Sequence, residues 1–324
     1  MPVLTHFPCP DLLSEVLSAI SLRSVVICRC ELKAPWGFRV PKRDMTGFHV
    51  ITAGRCRLEM SDPALDTTVE CGDLLLFPHG HPHVMHDPPD APTIPFQQAL
   101  EENPLDEHRV FRGGGSGELT SILCGEFILE NRRVNPLLAA MPPLILIRGK
   151  EGAAAPWLQV TLDHLKVEVQ MTNHGAEAVL TRLADVLLIQ SLRAWFHSLD
   201  GAPPGWLGGL KDAQIGAALS LMHRRYSEPW TVASLAQEVA MSRSAFSERF
   251  KDLVGEPPLA YLARWRLHRA AGMLHRSDAK LAQVARRVGY ESEVAFHRAF
   301  KRALGSSPGE YRRRARMANQ DAAT

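Results

Sequence analysis

A repeat in the last third of this 324-residue chain restricts the fold more than any other feature. Leu235, Ala236 and Val239 recur 49 residues later as Val284, Ala285 and Val288. Phe246, Phe250, Gly255, Pro258 and Tyr261 recur 50 residues later as Phe296, Phe300, Gly305, Pro308 and Tyr311. The one-residue slip falls between Val239 and Phe246, where a turn is expected. A spacing kept this well means one supersecondary unit used twice. Each unit reads as a helix, a short turn and a second helix. Thr231 or Ser234 caps the first helix of the first unit, and Ser242 caps the second, which ends near Gly255. In the second unit Asp278 is the expected cap of a helix running through Val288. Gly289 supplies the turn, Ser292 the next cap and Gly305 the stop. This is helix-turn-helix geometry.

In both second helices the phenylalanines at i and i+4 must point inward. The opposite face then presents Arg243, Ser244, Ser247, Glu248 and Lys251 in the first unit. In the second it presents Glu293, Val294, His297, Arg298 and Lys301. Short groups near the start of such a helix reach base edges in a major groove, whereas Lys and Arg reach phosphates. A solvated face on an ordinary helical domain would look the same in one unit alone. Charge separates the readings: residues 206–324 carry 20 Lys and Arg against 11 Asp and Glu, and residues 1–205 carry 17 against 24. A net +9 beside a net −7 points to a polyanion partner for the basic part only. The segment Pro257–Arg276 between the units is a predicted helix of ~30 Å, close to the ~34 Å of one turn of B-DNA.

The stretch Ala285-Arg286-Arg287-Val288-Gly289-Tyr290, followed by Phe296, Phe300, Lys301, Gly305, Ser307-Pro308 and Tyr311-Arg312, resembles the AraC/XylS family of bacterial transcription regulators. The resemblance implies duplex DNA as partner, a homodimer, and RNA polymerase as a further partner if the protein activates. One departure is that Ser244, Ser247 and Glu248 occupy positions where that family often carries larger or basic base-readers.

The acidic part reads differently. Short apolar runs punctuated by Gly, Pro and Asp predict many strands over residues 22–130, and a helical period follows from Ala153 to Leu199. Residues 96–117 read as a mobile loop and 198–210, SLDGAPPGWLGGL, as a linker. Gly72, Pro78, Gly80, His83 and Asp87 are spaced like the second motif of the cupin barrel, whose last position is usually Asn. The resemblance implies a sensor domain with His83 facing inward. Residues 37–47 hold neither His nor Glu, so the three-His-plus-carboxylate set of cupin enzymes is incomplete. His49, His81 and His83 remain candidates for an effector or a divalent metal. Cys28, Cys30, Cys71 and Cys124 are candidates for thiol redox sensing, with Arg29, Arg55 and Arg57 as neighbours able to lower a thiol pKa.

The expected architecture is multidomain α+β. Residues 1–200 form a cupin-like β-barrel with packing helices that senses an effector and dimerises through the helix 176–199. Residues 201–210 are the linker, and 211–318 an all-α DNA-binding domain with two helix-turn-helix units. The expected function is sequence-specific, DNA-binding transcription regulation under an unknown signal, without catalysis. The alternative is a metal-dependent cupin enzyme fused to a DNA-binding module. No run approaches the ~20 apolar residues of a membrane span and no basic-then-apolar leader opens the chain, so a cytoplasmic protein is expected.

Overall fold

The computed structural model describes residues 22–129, 132–149, 155–170, 174–198 and 205–321. Among these, 22–129 and 141–198 make one compact unit, and 132–140 and 205–321 make another.

The first unit is built on strands β1 (Leu22–Lys33), β2 (Trp36–Val40), β3 (Thr46–Ala53), β4 (Arg55–Ser61), β5 (Ala64–Glu70), β6 (Leu74–Phe77), β7 (His83–Asp87), β8 (Ile94–Pro95), β9 (Val110–Gly114), β10 (Leu119–Leu129) and β11 (Ile145–Ile147). They pair into a six-stranded sheet, β11-β6-β3-β10-β1-β9, and a five-stranded sheet, β5-β4-β7-β2-β8. Among the described residues the cupin-like strands form these two sheets and no closed barrel. Alternation decides which side chains meet. On β4, Arg55, Arg57 and Glu59 face outward while Cys56, Leu58 and Met60 are buried. The inner faces of both sheets share one core containing Ile51, Leu75, Phe77 and Ile122 from one sheet and Trp36, Phe38, Leu58 and Met85 from the other.

The helices before the basic part are α1 (Phe96–Glu102), α2 (Pro136–Ala140), α3 (Ala155–Gln170) and α4 (Ala176–Ser198). Residues 96–117, expected as a mobile loop, instead supply α1 and β9. Phe96 and Phe111 anchor them, each within 5.6 Å of the Phe38 ring centroid or closer. Polar composition hid those two aromatic anchors. On α4 the buried stripe is Ala184, Leu187, Leu188, Ser191 and Leu192, whereas Val179 and Val186 face outward at 44% and 43% exposure. Leu187, next to the exposed Val186, is core.

The second unit contains α2, a 3-10 turn at Arg132–Val134, and α5 (Trp206–Leu210), α6 (Ala213–Arg224), α7 (Val232–Glu238), α8 (Arg243–Val254), α9 (Pro258–Arg276), α10 (Leu281–Arg287), α11 (Glu293–Leu304) and α12 (Pro308–Asp321). Two sequence expectations change here. Residues 206–210, placed in the linker, form α5, whose Trp206 is buried and donates its indole N–H to the Pro136 carbonyl at 2.9 Å. Gly209 permits the packing: a Cβ there would sit 2.7 Å from Leu219 Cδ1. Glycine here serves close approach rather than flexibility. Residues 132–140, assigned by sequence to the sensing domain, belong to the helical unit. Of the remaining linker, 201–204 lie outside the described residues, as does Cys9.

Candidate nucleic-acid interface and sensing cavity

The two helix-turn-helix units share the turn between their helices and the cap of the second helix, and differ in the cap of the first. In the first, Thr231 caps α7 by accepting from Ser234 N at 3.0 Å. In the second, Lys280, not Asp278, precedes α10, and its N–H donates to Gln283 Oε1 at 3.2 Å. Asp278 is drawn instead into an ion pair with Arg316. Met241 N donates to Ala236 O at 2.9 Å, and 49 residues on Tyr290 N donates to Ala285 O at 2.9 Å. Ala240 and Gly289 occupy the same left-handed turn position, at φ 53° and 83°. Glu291 is the extra residue, because Ser242 and Ser292, now 50 apart, both cap the following helix through their side chains.

That geometry fixes what α8 and α11 show. Phe246, Phe250, Phe296 and Phe300 are all buried at 0% exposure. Of the sequence-predicted DNA contacts, Arg243, Ser244, Glu248, Lys251, Glu293, Val294, His297, Arg298 and Lys301 are exposed and Ser247 is half-buried. Val294 is 61% exposed, an apolar group standing clear of any core at the start of a helix. Arg249, on the flank of α8, is committed to Asp212 at 2.5 Å. α9 spans 19 residues between the units, about 28 Å at the α-helical rise. Its Tyr261 and Trp265 serve the first unit, and its Leu267, Ala270, Ala271 and Leu274 the second.

The first unit of the molecule encloses a cavity of about 130 Å³ between its sheets, lined by Cys28, Cys30, Cys124, His49, His81 and His83 among others. Gly80, at φ +61°, turns the chain where any Cβ would strike the Arg43 carbonyl, and so brings β7 back towards β2. The histidines do not converge as cupin metal ligands do. His49 and His83 face each other at 3.0 Å between their Nε2 atoms, and His83 lies flat on Phe77 with centroids 4.0 Å apart. His81 meets His83 through its backbone carbonyl, 3.0 Å from His83 Nδ1, not through its ring. The nearby carboxylate, Glu126, is held by Arg43 at 2.8 Å. The three-His-plus-carboxylate set therefore does not fit here. Burial, helped by the neighbouring charges of His83 and Arg43, holds His49 well below the usual histidine range, and burial takes His83 down to about 4. Both rings are neutral, and the chain of contacts fixes their tautomers. His83 Nδ1–H donates to His81 O, His49 Nε2–H donates to His83 Nε2, and His49 Nδ1, left without a proton, faces the Cys124 sulfur at 3.2 Å.

Cys28, Cys30 and Cys124 come together, their Sγ atoms within 4.8 Å of one another. Cys71 does not join them: it is exposed at a turn and donates to Thr52 O at 3.3 Å. Hydrogen bonds from Cys124 and Cys30 pull the Cys28 thiol down, aided by Arg109 and Arg43. Cys124 is pushed up by its hydrogen bonds to Cys28 and Cys30 and by burial. The arginines expected from sequence adjacency are not the ones that act. Strand alternation sends Arg29 to the other face, where it pairs with Glu31 at 2.9 Å, and Arg57 pairs with Asp66. Arg43, Arg109 and the His49–Cys124 contact were invisible before strand pairing was known.

Comparison with known proteins bears on both units. A cupin family profile matches residues 11–197, and a helix-turn-helix domain profile matches residues 235–314. The HTH-type transcriptional regulator AlkR of Acinetobacter baylyi is 32% identical over 93% of this chain and 99% of its own length. A putative AraC-like transcription regulator of Streptomyces lividans is 32% identical over 95% of this chain and 99% of its own. A second, from Streptomyces antibioticus, is 30% identical over 94% and 98%.

Proposed function

We propose, from the premise that the chain belongs to the AraC-type transcription regulators and is a DNA-binding regulator with a cupin-like ligand-sensing domain, that α8 and α11 are its two DNA-reading helices. The observation that carries this reading is the pair of outward faces, Arg243 to Lys251 and Glu293 to Lys301, each seated on a buried phenylalanine pair in the same capped turn. With α9 between them, the two helices enter successive major grooves on one side of the duplex. Arg298 and His297 read bases, Val294 meets a thymine methyl, and Lys251 and Lys301 hold phosphates. In this reading the helical unit, 205–321 with 132–140, is the DNA-binding part, and the sheet unit, 22–129 and 141–198, is the sensing part.

Regulation in this reading depends on a homodimer formed by the outward stripe of α4 around Val179 and Val186, with no catalytic turnover, in the cytoplasm. RNA polymerase is the further partner where the bound site favours activation. Enrichment of random duplexes by the full-length protein tests the interface. Arg298→Ala is expected to change the recovered motif, and Lys301→Ala to weaken binding on all sequences alike and flatten the salt dependence by about one phosphate, roughly 0.9 in log–log slope. Equal, sequence-independent losses for both would overturn the assignment of Arg298. Val186→Glu tests the dimer: sedimentation should show monomers, with folding intact because Val186 is 43% exposed.

A further inference from the structure

Gly47 leaves a gap in the wall of the cavity between the two sheets. It lies on β3, two residues before His49, and so on the same inward face. A Cβ there would meet nothing within 4 Å. Glycine inside a strand weakens it, and one kept there marks a bulge, a bend or the close approach of another group. No bulge explains this one, because Gly47 is in register with Phe77 on β6 and with Glu126 on β10. Trp36, on β2 in the facing sheet, lines the same cavity. It is 4% exposed, and its indole N–H meets no acceptor among the described residues. A buried donor left so costs free energy that an acceptor placed in the cavity would restore.

Volume and wall chemistry then limit what fits. The cavity measures about 130 Å³, and an apolar cavity of ~150 Å³ is enough to hold benzene. Leu32, Phe38, Phe77, Met85 and Ile122, all buried, make much of its wall. The charges in that wall are already answered. Glu126 is paired with Arg43 at 2.8 Å, and His49 and His83 are neutral. Cys28, held low by its hydrogen bonds from Cys124 and Cys30, turns anions away, and Arg43 and Arg109, which act on it, turn cations away. An ionic ligand would give up its water for a wall with no charge to spare. A neutral oxygen loses less water and matches the Trp36 N–H.

We propose that this cavity binds one uncharged, mainly apolar molecule of single-ring size, whose carbonyl or ether oxygen accepts from the Trp36 indole N–H and whose hydrocarbon body fills the gap over Gly47. The proposal rests on the reading of the sheet unit as the sensing part and names the chemical class it senses. Trp36 and Gly47 belong to opposite sheets, so the molecule lies between the sheets with its polar end towards β2 and its apolar end towards β3. It enters past Pro41, which is exposed, and Arg43, Met45 and His81, which are half-buried and carry the wall to the surface. Fused rings and long chains exceed the volume.

The test uses the full-length, reduced protein without DNA. Calorimetric titration with cyclopentanone, cyclohexanone and cycloheptanone should show saturable uptake of one equivalent of at least one ketone. Methylenecyclohexane, which has the shape of cyclohexanone without the acceptor, should bind roughly five- to tenfold more weakly, the net worth of one neutral hydrogen bond. Trp36→Phe keeps a ring and removes the N–H, so it should abolish that difference between the two probes. Cyclohexanecarboxylate and cyclohexylammonium should bind more weakly than the ketone. Gly47→Leu fills the gap and should lower ketone affinity by at least about 10-fold while unfolding stays cooperative. A wild-type measurement guards against variants that misfold: one tryptophan indole proton should move downfield with cyclohexanone and not with methylenecyclohexane. No saturable binding of any ketone, tighter binding of either ion, or full affinity in folded Gly47→Leu would overturn the site. Saturable binding that leaves the affinity for the enriched duplexes unchanged would uphold the site and overturn the sensing role.

Discussion

At positions fifty residues apart, α8 and α11 share what packs and differ in what faces outward. Phe246 and Phe296, Phe250 and Phe300 are buried, and Ser242 and Ser292 cap alike. Gly255 and Gly305 end both helices in the left-handed conformation. On the outer face, Arg243 stands where Glu293 does, Ser244 where Val294 does, and Glu248 where Arg298 does; among the residues expected to touch DNA only Lys251 and Lys301 agree. Packing residues answer to the same core, so they repeat. Outward residues answer to whatever each helix touches, and two helices in successive grooves touch different bases. The shared lysines fit a partner feature that does not vary with sequence, the phosphate backbone.

The largest expected effects would break the shared half of this comparison. Phe246→Ala and Phe296→Ala should each cost about 3–5 kcal/mol, since both rings are fully buried. Chemical denaturation of the full chain measures this. A mild loss in one unit would mean that the two scaffolds are not equivalent. The unshared half is sharpened by binding. Arg298→Ala should lose roughly 1–3 kcal/mol on the preferred duplex and relax one base position. Glu248→Ala, at the matching place, should bind equally or more tightly, because a carboxylate facing DNA is removed. Losses of similar size from both would show that α8 reads bases through Glu248.

Acid should separate the units next. His223 on α6 stacks on Trp265, ring centroids 3.9 Å apart, and meets the Tyr261 hydroxyl at 2.6 Å. Burial, then His268, Arg269 and Arg264, holds its pKa down to about 3, against ~6.5 when unfolded. Folding therefore favours the neutral ring. Its contribution is complete above about pH 6.5 and is lost as pH falls from there towards 3, roughly 2 kcal/mol by pH 5. Hydrogen exchange, corrected for the intrinsic pH dependence, should show α6 and the first half of α9 loosening at pH 5 before α11 does. A His223→Phe variant should lose that pH dependence whatever its stability at pH 7. Equal loosening in both units would remove His223 from the explanation.

The repeat made the helical unit legible because short-range spacing and caps carry it: Ser242, Ser292 and the four phenylalanines could be read from the chain alone. Where the sequence misled, a distant partner had intervened. Trp206 and Gly209 turned a Gly-Pro-rich linker into a packed helix, and Arg316 took Asp278 from its expected cap. The sensing cavity was legible only in part. Alternation put Cys28 and Cys30 on one face, but which residue faces Cys124 is decided by the register of three strands far apart in sequence. Sequence adjacency suggested Arg29 and Arg57 for the thiols, while pairing delivered Arg43 and Arg109.

The smallest expected effect lies in the turns. Ala240 and Gly289 both adopt positive φ, which costs an L-residue with a Cβ roughly 1–2 kcal/mol and glycine almost nothing. In the first unit Ala240 is exposed, and the Met241 to Ala236 hydrogen bond holds its turn. The second has less freedom: a Cβ at position 289 would lie 2.7 Å from the Ser227 carbonyl and 2.9 Å from the Arg266 guanidinium. Arg266 donates from Nε to Tyr226 O and from Nη2 to Glu228 O, so it cannot move aside without losing both bonds. Gly289→Ala should thus add a steric cost to the backbone strain and destabilise by about 2 kcal/mol or more. Ala240→Gly removes strain and adds unfolded-state entropy, two effects of about 1 kcal/mol that oppose each other, so stability should move by no more than about half that. Thermal unfolding of the two single variants and the double variant measures all three, and the two changes should add because no partner is shared. A large gain from Ala240→Gly would mean that the first turn is held under strain the packing does not need.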